Sequence, residues 1–276
     1  MNVNLTHIIS ILKASHQIDL SVYDSEFLSS TVNNRITQTG TASADDYYKL
    51  LEHTITEPNQ LFDSLHISYS EFFRNSLTYA ALEHIIFPAM ISKLKNNGRR
   101  EIRIWSTACA NGQEAYSLAM LLEELKNGNK NKFKYRIFAT DRSKNNIETA
   151  RNGQYTTDLL KNIQLNRLNK WFTNYNESYR INAGLKVNID FSEFDLLDDG
   201  AITPESSIYG DFDLVYCANL LFYYTNEVKQ KILKKVSHCL SKGGYLVTGE
   251  TEREILIKQN YIETVYQSAI FQMNTA

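Results

Sequence analysis

Ile102-Arg-Ile-Trp-Ser-Thr-Ala-Cys-Ala-Asn-Gly-Gln-Glu-Ala-Tyr-Ser-Leu-Ala-Met120 is the stretch that decides how this chain folds. A short apolar run ends in small residues, turns on one glycine, Gly112, and enters a helical pattern headed by Glu114. In an α/β protein this layout puts a nucleotide-type ligand site at the carboxyl end of a parallel strand. Small side chains such as Ala108 let the backbone approach a ligand, and Gly112 tolerates the positive φ that such a turn often needs. Glu114 falls in the first helical turn, where the positive end of the helix dipole favours a carboxylate. Any tight strand-to-helix turn with a helix-starting Glu looks the same. With one glycine and no G-x-G-x-x-G, the spacing alone leaves both readings open.

Outward from this turn, short apolar runs alternate with amphipathic stretches from about residue 101 onward. The pattern predicts strands at 102–106, 135–140, 187–191, 212–217 and 244–248, and helices at 113–126, 143–151, 157–173 and 226–240. Such alternation implies a parallel sheet covered on both faces. Residues 179–190 alternate around Gly184, which predicts a small β-hairpin insert at about 176–192. Tyr261 to Met273 reads as an antiparallel hairpin with its turn near Gln267-Ser268. Upstream the pattern is helical only. Leu5, Ile8, Ile9 and Leu12 share one face, as do Tyr48, Leu50, Leu51 and Ile55, and the polar stretch Thr37–Asp45 between them reads as a loop ending in a helix cap. The expected division is an all-helical domain over 1–80 and an α/β domain over 81–276.

The 276 residues carry a net charge of −2, with a pI near 6.3, which gives no general attraction to nucleic acid or anionic membrane. A local basic run, Lys93, Lys95, Arg99 and Arg100, reads as a solvated helix end. Three scattered cysteines support neither a disulfide framework nor a zinc site, so free thiols in a reducing compartment are expected. The start lacks the basic flank and apolar core of a signal peptide, and no apolar run is long enough to span a bilayer. A cytoplasmic protein is the expectation. The six histidines show no ligand spacing, so no metal is expected, and no Ser/His/Asp or Cys/His arrangement supports covalent catalysis.

Three acids follow successive predicted strands. Asp141 ends the second, where a carboxylate can accept both hydroxyls of a ribose or else cap the next helix. Asp195 follows the third, beside Leu196; this pair suits an adenine amine and ring face, or a plain acidic loop. The fourth strand runs into Cys217-Ala-Asn-Leu-Leu-Phe-Tyr223-Tyr224, whose tyrosines can wall a pocket or simply pack. No Pro-Pro-Tyr, the pattern that stacks a flipped base, follows Asn219, which counts against a nucleic-acid base as substrate. Ser68-Tyr-Ser70-Glu71-Phe-Phe-Arg74 reads as a capping box, with Arg74 a turn and a half into the helix and suited to binding a carboxylate.

These pieces, in this order, resemble the chemotaxis receptor glutamate O-methyltransferases, the CheR family. A parallel sheet closed by a C-terminal antiparallel hairpin is the arrangement of its Rossmann-like, class I methyltransferase fold. Ile18-Asp-Leu-Ser-Val-Tyr23 looks like the family's I-D-L-x-x-Y, Ser70-Glu-Phe-Phe-Arg74 like T-x-F-F-R, and Trp105 to Ala119 like W-S-A-A-C-S-x-G-E-E-P-Y-S-L-A. Ala139-Thr-Asp141, Ala150-Arg-Asn-Gly-Gln-Tyr155, Phe212 to Tyr224 and Gly249-Glu-Thr-Glu252 match further motifs. The resemblance implies S-adenosylmethionine as cofactor, S-adenosylhomocysteine as product, and a protein substrate such as a chemoreceptor cytoplasmic domain. It puts Ser68, Ser70 and Arg74 where a cap closes over the cofactor and Glu114 at its amino-acid or sulfonium end. Asp141 falls on the ribose, Asp195 and Leu196 on the adenine, and Cys217 and Ala218 on the pocket floor with Ala108 and Gly112. Arg74 and Tyr223 match the residues near the transferred methyl.

The chain departs from the family pattern at Ser70 for threonine, Gln113 for the first acid of E-E-P, and Ala218 for the arginine of C-R-N. Its second helix carries one basic residue where the family's is arginine-rich, and the insert lacks the glycine loop of members that bind a receptor tail. These departures keep two alternatives open: the same fold acting on a different protein or small-molecule acceptor, or a non-catalytic module binding S-adenosylmethionine or S-adenosylhomocysteine.

Overall fold

Helix caps written into the sequence start the first helices. In α1 (Leu5–His16) the side chain of Asn4 accepts the His7 amide. In α2 (Ser25–Thr39) Asp24 accepts those of Glu26 and Phe27, and in α3 (Ala44–His53) Ser43 accepts that of Asp46. A fourth helix, α4 (Thr56–Ser64), follows. The computed structural model describes residues 3–65, 68–96, 98–128, 133–207 and 209–274. It divides the chain into two units, Met1–Ile67 with Leu221–Lys231, and Ser68–Leu220 with Ile232–Ala276. Residues 68–80, expected with the helical domain, therefore fold in the larger unit.

The smaller unit buries Ile8, Ile11, Leu12, Leu28, Val32, Tyr47, Leu51 and Leu61. Two predicted faces are rotated by one residue: Ile11 and Tyr47 are buried, whereas Ile55 is 76% exposed just before α4. The loop expected from Thr37 begins only at Gly40, because α2 runs on to Thr39 and Gly40 ends it at φ 69°. Tyr47 donates to Glu57 (2.8 Å), and Glu57 takes Arg35 in a two-pronged pair at 3.0 and 2.5 Å. The segment Leu221–Lys231 adds a 3-10 turn, Leu221–Tyr223, with the rings of Tyr23 and Tyr224 stacked at 5.5 Å.

The larger unit begins with α5 (Ser76–Ala81), a π-helical turn over Leu82–Ile86 and α6 (Phe87–Asn96). Then come β1 (Glu101–Ser106), α7 (Gln113–Gly128), β2 (Lys134–Asp141), α8 (Lys144–Asn152) and β3 (Gln154–Thr156). They are followed by α9 (Leu165–Trp171), β4 (Phe172–Tyr175), β5 (Ser178–Ile181), α10 (Ala183–Lys186), β6 (Ile189–Glu193) and β7 (Phe212–Tyr216). The chain closes with α11 (Asn226–His238), in this unit from Ile232 onward, and then β8 (Leu240–Val247), α12 (Arg253–Ile257), β9 (Tyr261–Glu263) and β10 (Ile270–Met273).

Seven strands form one sheet in the order β6-β2-β1-β7-β8-β10-β9. The first five are parallel, and β10 pairs antiparallel with both β8 and β9. This is the expected Rossmann-like methyltransferase arrangement. Every residue of β7 is buried, as a central parallel strand with helices on both faces requires. Ala115, Leu118, Ala119 and Leu122 of α7 are fully buried; burying a leucine side chain stabilises by about 1.5–3 kcal/mol. From β1 the chain moves outward to β2 and β6, then returns to β7 on the other side of β1, so the strand order reverses there. The crevice outside the carboxyl ends of β1 and β7 is therefore the topological switch point at which such sheets bind ligands.

Three expectations fail here. Residues 179–190 do not form a hairpin around Gly184: that glycine lies in the helical turn α10, and β6 belongs to the main sheet. The small insert is instead a three-stranded antiparallel sheet in the order β3-β5-β4, turning at Asn176 with φ 54°. The helix predicted over 157–173 is correspondingly broken into a 3-10 turn, Thr157–Leu160, then α9, before the chain extends into β4. The basic run is not a bare solvated end either. Arg99 pairs with Asp213 at 2.8 Å, Lys93 donates to the Lys242 carbonyl at 2.8 Å, and the side chain of Lys95 lies outside the described residues. Among the described residues, no helix is long and apolar enough to cross a membrane.

Candidate active site

At the carboxyl end of β1 the chain enters the turn Thr107–Gly112, anchored by Thr107 N–H to the Tyr216 carbonyl (3.0 Å) and Cys109 N–H to the Thr140 carbonyl (2.8 Å). Ala110 and Gly112 both take positive φ, 45° and 90°. A Cβ on Gly112 would stand 2.8 Å from Ala150 Cβ. The glycine is thus required by close packing against α8 as well as by its own φ. Ala108 is partly accessible in this turn, and Cys109 is buried.

Glu114 occupies the first turn of α7 and accepts the Ser106 hydroxyl at 2.6 Å. Desolvation pushes its carboxyl up to about 8, opposed by that hydroxyl and by the charge of Arg74. Such an acid favours a cationic group, whose arrival would restore its charge.

Asp141, 9% exposed, divides its bonds between two loops. Its Oδ2 accepts the Ala110 amide at 2.9 Å, and its Oδ1 accepts the Ser143 amide (2.9 Å) and Asn146 Nδ2 (3.1 Å). The helix cap is Ser143, not Asp141. Oδ2 thus retains acceptor capacity for a sugar hydroxyl. Beyond β6, Asp195 is partly accessible and turns one oxygen back to the Leu197 amide (2.8 Å), while Leu196 is buried.

At the end of β7 the Cys217 thiol is buried and pushed up to about 12 by desolvation, which rules it out as a nucleophile near neutral pH. Ala218 is partly accessible, and Asn219 follows at φ 58°. This exit loop is held by Glu252, fully buried, which accepts the amides of Asn219, Leu220 and Gly249, each at 2.8 Å, and the Thr248 hydroxyl at 2.9 Å. Glu252 stood in a matched motif, and its bonds to Thr248 and Gly249 are local, but its hold on the exit loop was hidden because Asn219 and Leu220 lie 33 and 32 residues back. Gln113, in place of a family acid, is buried with no hydrogen bond to Oε1.

The segment Ser68–Arg74 does not form the expected capping box. Phe73 takes φ 50° in a turn and donates its amide to Ser117 on α7 (3.1 Å), which holds the segment against α7 outside any helix, and Asn75 caps α5 instead. Glu71 pairs with Lys161 at 2.6 Å and not with a helix start. Arg74 is therefore outside any helix; its guanidinium lies over the Tyr69 ring, 5.1 Å from the centroid. Ser68 and Ser70 are both partly accessible. Tyr223 belongs to the smaller unit, its ring against Phe27 (4.7 Å) and Phe222 (4.2 Å). In the larger unit the structure gathers Ala108, Gly112, Glu114, Asp141, Asp195, Leu196, Cys217 and Ala218 at adjacent strand ends.

Residues 68–270, most of the chain, match the family described as CheR methyltransferase, SAM binding domain. The chain belongs to this family. It is accordingly an S-adenosylmethionine-dependent methyltransferase, and the passive-module alternative is not favoured. Among relatives of the CheR family, the chemotaxis protein methyltransferase of Borreliella burgdorferi is 28% identical over 91% of this chain and 90% of its own length. Chemotaxis protein methyltransferase 1 of Pseudomonas aeruginosa is 32% identical over 69% of this chain and 68% of its own. The Listeria monocytogenes chemotaxis protein methyltransferase is 28% identical over 88% and 87%.

The donor set fits the cofactor: Asp141 keeps an acceptor oxygen at the end of β2, Glu114 is an acid without its charge, and the turn beside them is built of small residues.

Proposed function

We propose that this chain methylates glutamate side chains of a protein, the cytoplasmic signalling domain of a chemoreceptor, and that it acts in the cytoplasm. The observation that carries this reading is Arg74. Its guanidinium is exposed, its charge reaches Glu114, and among the described residues it meets no carboxylate within ion-pair distance. A planar guanidinium with open donors suits an incoming carboxylate. The names of the relatives point to chemotaxis, and three free thiols suit a reducing compartment.

S-adenosylmethionine, when bound, supplies a methyl group on a sulfonium that needs only a nucleophile in line. A glutamate with a pKa of about 4.3 is already ionised, so no strong base is required. An oxygen–carbon bond forms as the carbon–sulfur bond breaks, and no proton moves. What remains for the protein is positioning and exclusion of water. Asp141 offers its oxygen to the ribose, Asp195 and Leu196 serve the adenine, and Glu114 faces the cationic end. Ala108, Gly112, Cys217 and Ala218 form the floor, with Ser68 and Ser70 at the cap. Arg74 holds the acceptor carboxylate, and Tyr223 is assigned to orienting it on the strength of the sequence match.

The test is transfer of labelled methyl from S-adenosylmethionine to a purified receptor signalling fragment. Base-labile label on glutamates supports the reading; base-stable label, or label confined to unrelated acceptors, overturns it.

A further inference from the structure

In the motif Ala150-Arg-Asn-Gly-Gln-Tyr155, Ala150 packs against the Gly112 turn and the Tyr155 hydroxyl donates to the Asn111 carbonyl (2.6 Å), while Arg151, Asn152, Gln154 and Tyr155 line a recess of about 640 Å³ between the end of α8 and the small sheet. Arg151, Arg180 and Lys186 converge on this recess, and no carboxylate lines it. Their hydrogen bonds go to neutral acceptors only. Arg151 donates to the Phe191 carbonyl (2.6 Å), Arg180 to Gln154 Oε1 (3.2 Å), and Lys186 to the carbonyls of Arg151 (2.9 Å) and Asn152 (2.7 Å). Elsewhere in the chain, Arg35, Arg99, Arg136, Arg167 and Arg253 each hold a carboxylate. Three cations on one concave surface without a counter-ion repel one another, and a chain of net charge −2 has acids enough to neutralise them.

Gly153 makes the arrangement possible. At φ 60° it ends α8, and a Cβ there would lie 3.0 Å from Lys186 Cε, so a larger residue would be strained and would push the lysine aside. Hydroxyls complete the lining: Thr149, Thr156 and Ser178.

We propose that this recess binds a small phosphate-bearing anion, separately from the methyl-transfer site. Guanidinium forks and hydroxyls are the donors that phosphate oxygens take, and Lys186 adds a point charge at the rim. Desolvation and the charge of Arg180 already hold the Lys186 ammonium below its ordinary value, a strain that a bound dianion would relieve.

The experiment is calorimetric titration of the full chain, saturated with S-adenosylhomocysteine, with inorganic pyrophosphate. The expected result is one site, occupied with the cofactor product in place, whose affinity falls at least tenfold in Arg180→Ala and again in Arg151→Ala/Arg180→Ala. Both variants should keep the parent affinity for S-adenosylhomocysteine, which reports that they fold. The proposal is overturned by no binding, by binding that the variants leave unchanged, by competition with S-adenosylhomocysteine, or by binding of an oligoglutamate peptide in preference to pyrophosphate.

Discussion

The carboxylate of Asp141 accepts the backbone N–H of Ala110 at 2.9 Å, tying the end of β2 to the strained turn after β1. One side chain thus holds the turn that shapes the crevice and presents an oxygen into it. Replacing Asp141 with alanine removes three acceptor contacts and the candidate ribose contact at Oδ2. At about 1.5–2 kcal/mol for a lost hydrogen bond to a carboxylate, the Kd for S-adenosylhomocysteine should rise roughly 10- to 30-fold, with a lower Tm. Calorimetry and a thermal melt on the same sample check both.

Glu114, pushed up to about 8, holds its proton at neutral pH in the free protein. A cationic ligand needs the carboxylate, so binding releases a proton. Affinity for S-adenosylmethionine should climb from pH 6 to pH 8 and level off above. Titrations in buffers of different ionisation enthalpy would reveal the released proton, and Glu114→Gln should abolish both effects. For folding the sign is reversed. Between the ordinary carboxyl value and about 8, the folded chain holds a proton that the unfolded chain has lost, so this residue destabilises increasingly as pH rises. Glu114→Gln should therefore raise Tm at pH 8 more than at pH 5.

Arg74→Ala should cut kcat/KM about 100-fold, the usual scale for removing a positioned donor, while changing S-adenosylhomocysteine affinity less than about threefold. Steady-state methyl transfer alongside calorimetry separates the cases. Equal losses in both would make Arg74 a cofactor clamp.

Glu252→Ala would strand the amides of Asn219, Leu220 and Gly249 in a buried site. A cost of about 2–4 kcal/mol is expected from unsatisfied donors, read as a fall in urea midpoint without a change in slope. Gly112→Ala should cost a similar amount, since the added methyl meets Ala150 at 2.8 Å in a positive-φ position.

The sheet was legible because its strands carry short, mostly apolar runs closed by informative residues: Gly112 and Glu114 after β1, Asp141 at the end of β2. The insert was misread because β3, β4 and β5 have only three or four residues each, and polar alternation around Gly184 imitates a hairpin. The capping-box pattern at Ser68 and Glu71 failed for a non-local reason: Ser117 captures the Phe73 amide from a different helix. Glu252 was invisible as an anchor for the same kind of reason. A buried acid announces itself only through the amides that surround it, and two of the three here, those of Asn219 and Leu220, come from the loop after β7.

Helix α2 bears a single cation, and that cation is fully engaged. Arg35 gives its Nε and Nη2 to Glu57, a further Nη2 proton to Gln60 and Nη1 to Gln38. An acidic docking helix approaching this face would find amides and hydroxyls, with no positive charge to greet it. Any positive charge that greets an acidic acceptor surface must therefore come from outside α2.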